Sequence, residues 1–353
     1  MIPAPRQKAI QQLAADTRPL PAGELFTTRF YQPEDGPGAA RLFYAVYGDG
    51  YPIDTFYLPD RLTEENRSGR IRSVVAVTGA GDVVCHEALY RSSAPNPGLF
   101  EFGLGLTLPS YRSTMAFARC SQLLMTLPGT GGIDAFFGEA VCNHTTTQKL
   151  TRQTGAVETA LEPALMPARA YEAEQSAQGR VSCLMAFKVV QDYKRQLCIP
   201  DFYHNQIMFM LEGCNLDREL IACDTNLPSS PARLETALFP EAGVARCSIT
   251  AAGHDLADQL WHLEADLRDK QFALLQCFVP LDVSWAGAVV DLMREERFFL
   301  GGFLPVWFGG DGLLMQKLFV DPGFQEMQLH SERAGRIREL VQDDWKRTQH
   351  GGG

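Results

Sequence analysis

No C-x-x-C pair, no dense Lys/Arg run and no apolar stretch near the roughly 18 residues of a membrane span occur in this sequence. Each absence removes a class. The nine cysteines are odd in number and scattered through apolar segments, which predicts buried free thiols of a reducing compartment and neither a disulfide framework nor a zinc cage. Without a membrane segment, the expected location is the cytoplasm. A formal net charge of −10 with no basic cluster argues against nucleic-acid binding. A P-loop, a dinucleotide fingerprint and a Ser/His/Asp elbow are also missing. The glycine-rich stretch Trp307 to Gly312 lies between two strand-like runs and reads as a hairpin turn.

What is present is the composition of a folded protein, 45% apolar and 21% charged, over 353 residues, a length that favours two domains. Residues 1–24 form an N-terminal strap with a weak helix over Gln7–Asp16. Leu25–Tyr31 alternates as a strand, Asp35 starts a helix burying Leu42 and Phe43, and Asp60 is the expected N-cap of a helix over Arg61–Ser68. Ile71–Thr78 and Val83–Tyr90 flank Gly79-Ala80-Gly81-Asp82 as a hairpin, and Leu99–Leu108 is the next strand. From Ser113 the period becomes helical. Strands at Ile133–Val141, Val157–Leu161 and Val181–Val190 follow, with a helix opened by Asn143 and stopped by Gly155 between the first two. Beyond about residue 196 the α/β order partly repeats, and a last helix runs from Ser331 to Trp345.

Residues 25–190 resemble the GNAT superfamily of N-acetyltransferases. The resemblance rests on the hairpin Asp82-Val83-Val84-Cys85-His86 leading to Tyr90. It rests also on the strand Phe100 to Thr107 followed by Leu108-Pro109-Ser110-Tyr111-Arg112, and on Ala140-Val141-Cys142-Asn143 opening a helix that ends at Gly155. A weaker, incomplete unit of the same kind is similar to Phe272–Met315. The resemblance implies an α/β (α+β) fold of two GNAT-like domains, 25–195 and 196–353, each a mixed, mostly antiparallel sheet flanked by helices. The second would be degenerate.

It further implies an acyl-CoA-dependent N-acyltransferase, with acetyl-CoA or another acyl-CoA as co-substrate and a small-molecule or peptide amine as acceptor. Its polyanionic cofactor can be held by one or two arginines and backbone N–H groups despite the acidic chain. Leu106, Thr107, Leu108, Arg112, Ser113, Thr114, Met115, Ala116, Phe117 and Asn143 are the cofactor-binding candidates. Glu101 is the candidate general base, with Glu139 and His144 behind it, and Tyr47, Tyr51 and Phe56 are candidate acceptor contacts. No metal is expected, and a homodimer is left open. Where the family carries glycines, this chain has Met115 and Phe117, and where it often carries a proton-donating tyrosine, Thr151. Those departures keep a second reading in view, a GNAT-derived binding or regulatory protein without turnover. His254, Asp258 and His262, spaced by four beside Asp255, suggest a metal face on one helix, but a solvated acidic helix accounts for them better.

Overall fold

A computed structural model describes residues 4–51, 53–167 and 179–350. The chain forms two compact units, Met1–Ser93 with Phe100–Phe136, and Ala94–Leu99 with Phe137–Gly353. Within the first, α1 (Ala4–Ala14) precedes β1 (Phe26–Phe30), α2 (Gly36–Tyr47), α3 (Pro59–Ser68), β2 (Ile71–Thr78), β3 (Val83–Tyr90), β4 (Leu99–Thr107) and α4 (Ala116–Leu124). Strands β1 to β4 are antiparallel neighbours in chain order. β2 and β3 are buried along nearly their whole length, so both faces of the sheet need cover. α4 packs on one face, while α2, the turn Asp54–Tyr57 and α3 supply Phe43, Phe56 and Leu62 to the other. Successive strand residues therefore meet different helices: His86 contacts Phe43 of α2, and Glu87 contacts Ser121 of α4.

The second unit contains β5 (Ala135–Val141, from Phe137 onward), α5 (Thr146–Gln153), β6 (Val157–Met166), β7 (Val181–Val189), β8 (Arg195–Cys198), α6 (His204–Leu211), β9 (Arg218–Ile221) and β10 (Arg233–Phe239). It continues with β11 (Val244–Ala251), α7 (Leu256–Asp269), β12 (Leu274–Pro280), α8 (Ala286–Glu295), β13 (Phe299–Leu304), β14 (Gly312–Leu318) and α9 (Glu332–His350). Its sheet runs β5-β7-β6-β13-β14-β12-β11-β10, mainly antiparallel, with β11 and β12 parallel. The connection strand, helix, strand, strand occurs twice, in β5-α5-β6-β7 and β12-α8-β13-β14. Each time the last strand inserts between the other two. The two sets meet where β6 pairs β13 at Ala160 and Gly302. This partition differs from a division near residue 195, because the β6–β13 pairing joins segments from either side of it.

Several local expectations change. Asp60 lies in the first turn of α3, and Leu58 holds the N-cap position. Asp35 does stand at the N-cap position of α2, but its carboxylate binds Arg29 and the amide of Gln32. α5 starts at Thr146 behind Thr145, not at Asn143. β6 continues through Pro163 to Met166, because its register against β7 shifts between Glu162 and Met166 and the proline needs no ladder partner. His254 precedes α7, and its Nδ1 donates to the Ser230 carbonyl at 3.3 Å, so the proposed helical metal face does not form. No group of three potential metal ligands is found among the described residues.

The all-free-thiol expectation is also corrected. Cys198 and Cys223 form a disulfide with Cα atoms 5.4 Å apart. Parallel pairing of β8 with β9 brings the end of one strand beside the residues that follow the other, a proximity no spacing rule reveals. The remaining seven cysteines are free. No described helix is long and apolar enough to cross a membrane.

The β6–β13 contact depends on a missing side chain. Gly302 has φ +149°, and a Cβ there would lie 2.4 Å from both the Ala160 Cα and the Thr159 carbonyl oxygen. Gly302→Ala is expected to cost about 3 kcal/mol or more in unfolding free energy, read from the denaturant midpoint. Gly335→Ala in α9, with nothing within 4 Å of the new methyl group, is expected to be neutral or stabilising by up to about 1 kcal/mol.

Candidate functional site

The first unit gathers Glu101, the Arg112–Phe117 turn and the Tyr47/Tyr51/Phe56 aromatics around β3 and β4. β4 is bulged: His86 pairs Leu106 and Ala88 pairs Gly103, leaving Leu104 and Gly105 opposite the single residue Glu87. Leu104 sits at φ +55°, an uncommon conformation for a residue with a branched side chain. His86 holds it. The imidazole is fully buried, its Nδ1 is 3.0 Å from the Leu104 carbonyl and its Nε2 is 3.0 Å from Ser73 Oγ. A carbonyl only accepts, so Nδ1 carries the hydrogen and Ser73 donates to Nε2. Asn66 completes the chain, accepting from the Ser73 amide at 2.9 Å and donating to Ser73 Oγ at 3.2 Å and the Leu62 carbonyl at 3.0 Å.

Upstream of the bulge, Glu101 accepts a hydrogen bond from the Tyr90 hydroxyl across the β3–β4 pair. Gly103 makes the room: a Cβ there would stand 3.3 Å from the Tyr90 ring. Downstream, Leu106, Thr107 and Leu108 are buried, with Thr107 donating to Cys85 Sγ and the Leu108 amide to the Val84 carbonyl. Tyr111 is buried and its hydroxyl accepts the Glu24 amide at 3.0 Å, which anchors the turn. Arg112, Ser113, Thr114 and Met115 are exposed, and Thr114 Oγ1 accepts the amide of Ala116, a buried residue. The Phe117 and Ala118 amides in the first turn of α4 have no acceptor among the described residues.

Glycine is not required by the path of this turn. Met115 occupies the N-cap position with φ −83°, and its side chain is 59% exposed. No residue from Arg112 to Phe117 has positive φ. Phe117 instead turns inward, its ring so close to the bulge that a Cβ on Gly105 would meet it at 3.0 Å. Of the aromatic candidates, Phe56 is buried and stacked on Phe43 at 4.5 Å. Tyr47 and Tyr51 lie nearer the surface, 5.1 Å from each other.

The remaining candidates belong to the second unit. Glu139 binds Arg246 at 3.0 Å; the same guanidinium reaches buried Glu162 at 3.2 Å and Gln276 at 2.9 Å. Asn143 and His144 precede α5, and His144 Nδ1 accepts the Thr146 amide at 3.3 Å. Thr151 is buried and donates to the Thr147 carbonyl. Sequence reasoning passed over His86, Ser73, Asn66 and Tyr90 as parts of a site. The available signal was His86-Glu87, two polar residues inside an apolar strand.

Half of this chain is similar in structure to GNAT acetyltransferases. A GNAT-family acetyltransferase from Staphylococcus aureus matches with 11% identity and a TM-score of 0.35, covering 47% of this chain and 100% of that one. The ribosomal-protein-S5-alanine acetyltransferase of Vibrio fischeri matches with 10% identity and a TM-score of 0.38, over 48% and 96%. YncA of Salmonella typhimurium, solved with its cofactor acetyl-CoA, matches with 13% identity and a TM-score of 0.39, over 48% and 96%. No family model matches the sequence, and no curated protein does.

Two buried groups titrate in opposite senses. Burial pushes the His86 imidazole down to about 4, whereas burial raises the Glu87 carboxyl well above its usual range. The unfolded chain binds the His86 proton below its ordinary value of 6.5 while the folded chain does not, so stability falls as the pH drops from 6.5 towards 4. The loss is on the order of 3 kcal/mol. Glu87 does the reverse, because the folded state keeps a proton that the unfolded state releases above its ordinary 4.5. Between about pH 4.5 and 6.5 the two slopes oppose each other, so urea midpoints are expected to be flatter for the native chain than for Glu87→Gln. Above 6.5 the native midpoint falls and the variant's stays level. That variant retains the bond to Ser121, gains relative to the native chain above neutral pH and shows the acid loss of His86 alone.

Proposed function

We propose that the chain is an acyl-CoA-dependent N-acyltransferase whose acceptor is an amine of a small molecule or peptide. The observation that carries this reading is a carboxylate, Glu101, fixed by Tyr90 on a bulged strand that leads directly into an open helix terminus. Acyl transfer to nitrogen needs the amine neutral, and a carboxylate oriented before the acceptor arrives can take its proton. Tyr90 supplies that orientation. Its hydroxyl donates to Oε1 of the carboxylate. Tyr47 and Tyr51 offer an aromatic wall for the acceptor.

An acyl-CoA brings an activated thioester. Arg112, Ser113 and the Phe117 and Ala118 amides are the groups that would hold its phosphates, since a helix N-terminus favours an anion and each can donate a hydrogen bond. Met115, projecting into solvent from a backbone with ordinary φ, is compatible with that role. Asn143 stands as a further candidate contact. Glu139, already bound to Arg246, is the weaker base. The repeated strand order of the second unit supports reading the C-terminal half as a second, degenerate GNAT-type half. The packing of Phe117 against Gly105 favours an alternative, a GNAT-derived module that binds without turnover.

Acetyl-CoA at about 100 times its Kd is expected to stabilise the folded chain by about 2.7 kcal/mol, seen as a melting-temperature rise of several degrees. With binding established, Glu101→Gln is expected to lower kcat about 100-fold at nearly unchanged acetyl-CoA affinity, and Tyr90→Phe to lower it less. Binding with no turnover of any amine would leave the non-catalytic reading. No thermal shift at millimolar acetyl-CoA would remove the acyltransferase reading and leave a regulatory protein that does not use acyl-CoA.

A further inference from the structure

A cleft of about 500 Å³ lies in the first unit at the edge of β2. It exists because β1 is too short. β1 pairs only with Val74–Thr78, so Ile71–Ser73 extend past it, and the chain turns away after the Tyr31 amide donates to the Ser73 carbonyl. α3 walls one side and the segment from Leu127 to Ile133 the other.

The polar groups of the floor are already bonded to one another. Tyr31 shares a hydrogen bond with Thr63 at 2.9 Å, and Asn66 is tied to Ser73 and Leu62. Phe30, Leu127 and Ile133 make the rest of the wall apolar. One group stands out against that lining. Arg72 lies against Gly69, where a Cβ would come within 2.8 Å of its guanidinium, and that guanidinium has no acceptor among the described residues. The other cation of the lining, Arg67, is neutralised by Glu64 at 2.8 Å. An uncompensated arginine beside an apolar wall, in a chain of net charge −10, presents a planar donor fork to an oxyanion and apolar surface to whatever carries it.

We propose that this cleft binds a small amphipathic oxyanion, a carboxylate or phosphate monoester on a short aromatic or aliphatic body, with Arg72 as its anchor. The proposal does not depend on acyl transfer, although the cleft shares Asn66 and Ser73 with the network that holds His86.

The test is a titration of the full chain with 3-phenylpropionate and, separately, phenyl phosphate, followed by amide resonances, with 3-phenylpropanol as the neutral control. Saturable shifts are expected at Gly69, Ser73, Thr130 and Ile133, with a Kd of about millimolar or tighter, and the tighter of the two acids identifies the preferred headgroup. Arg72→Gln is expected to weaken binding about tenfold or more, the loss of a charge-assisted bond. Should that variant fail to fold, Thr130→Trp, which fills the cleft from its exposed rim, is expected to weaken both acids similarly. The proposal is overturned by any of four results. One is no saturable shift up to about 10 mM of either acid. The second is equal binding of the alcohol, and the third is native affinity in the folded variant. The fourth is shifts confined to residues 112–118, which would assign the anion to the α4 terminus.

Discussion

The hydrogen bond from His86 Nδ1 to the Leu104 carbonyl organises the first unit. An L-residue at φ +55° is unfavourable by itself, and a bulge leaves backbone groups without ladder partners. A neutral, buried imidazole supplies the missing donor at 3.0 Å, and Ser73, itself held by Asn66, satisfies its other nitrogen. The bulge in turn directs the strand so that Glu101 meets Tyr90 before it and the chain enters the exposed Arg112–Met115 turn after it. A polar network of this kind is worth keeping in a core only when every member is paired, and here each ring nitrogen is.

The second unit depends on a different balance. Glu162 is fully buried and Glu139 largely so, and Arg246 with Gln276 joins them from β11 and β12. Such groups are costly to desolvate and contribute little net stability. Their bonds tie β5 and β6 to β11 and β12, which are not their neighbours in the sheet order. At the β6–β13 seam the opposite device operates, a glycine that lets two backbones approach with nothing between them.

Much of the first unit was legible because its periods are clean. The hairpin Ile71–Tyr90 is found with the expected boundaries, since a glycine turn flanked by two apolar runs leaves few alternatives. β8, β9 and β10 escaped notice: two have only four residues, and β10 is exposed along almost its whole length, so no alternating burial marked it. The Arg112–Phe117 turn was locatable, but where the side chains that replace the family's glycines go was not. Its backbone keeps negative φ throughout, with Met115 exposed and Phe117 packed towards Gly105.

By itself the sequence determined the α/β element order, β8 to β10 apart, and the strand-to-helix passage around Arg112, because hydrophobic period and turn chemistry are local properties. It also singled out Glu101. Only the tertiary structure decided that Glu101 is held by Tyr90, that His86 pins the bulge, that Cys198 meets Cys223 and that Arg72 lines a cleft without a counter-charge. Each of these is a meeting of residues brought together by strand pairing and helix packing, and such proximity leaves no period or spacing in the chain from which it can be read.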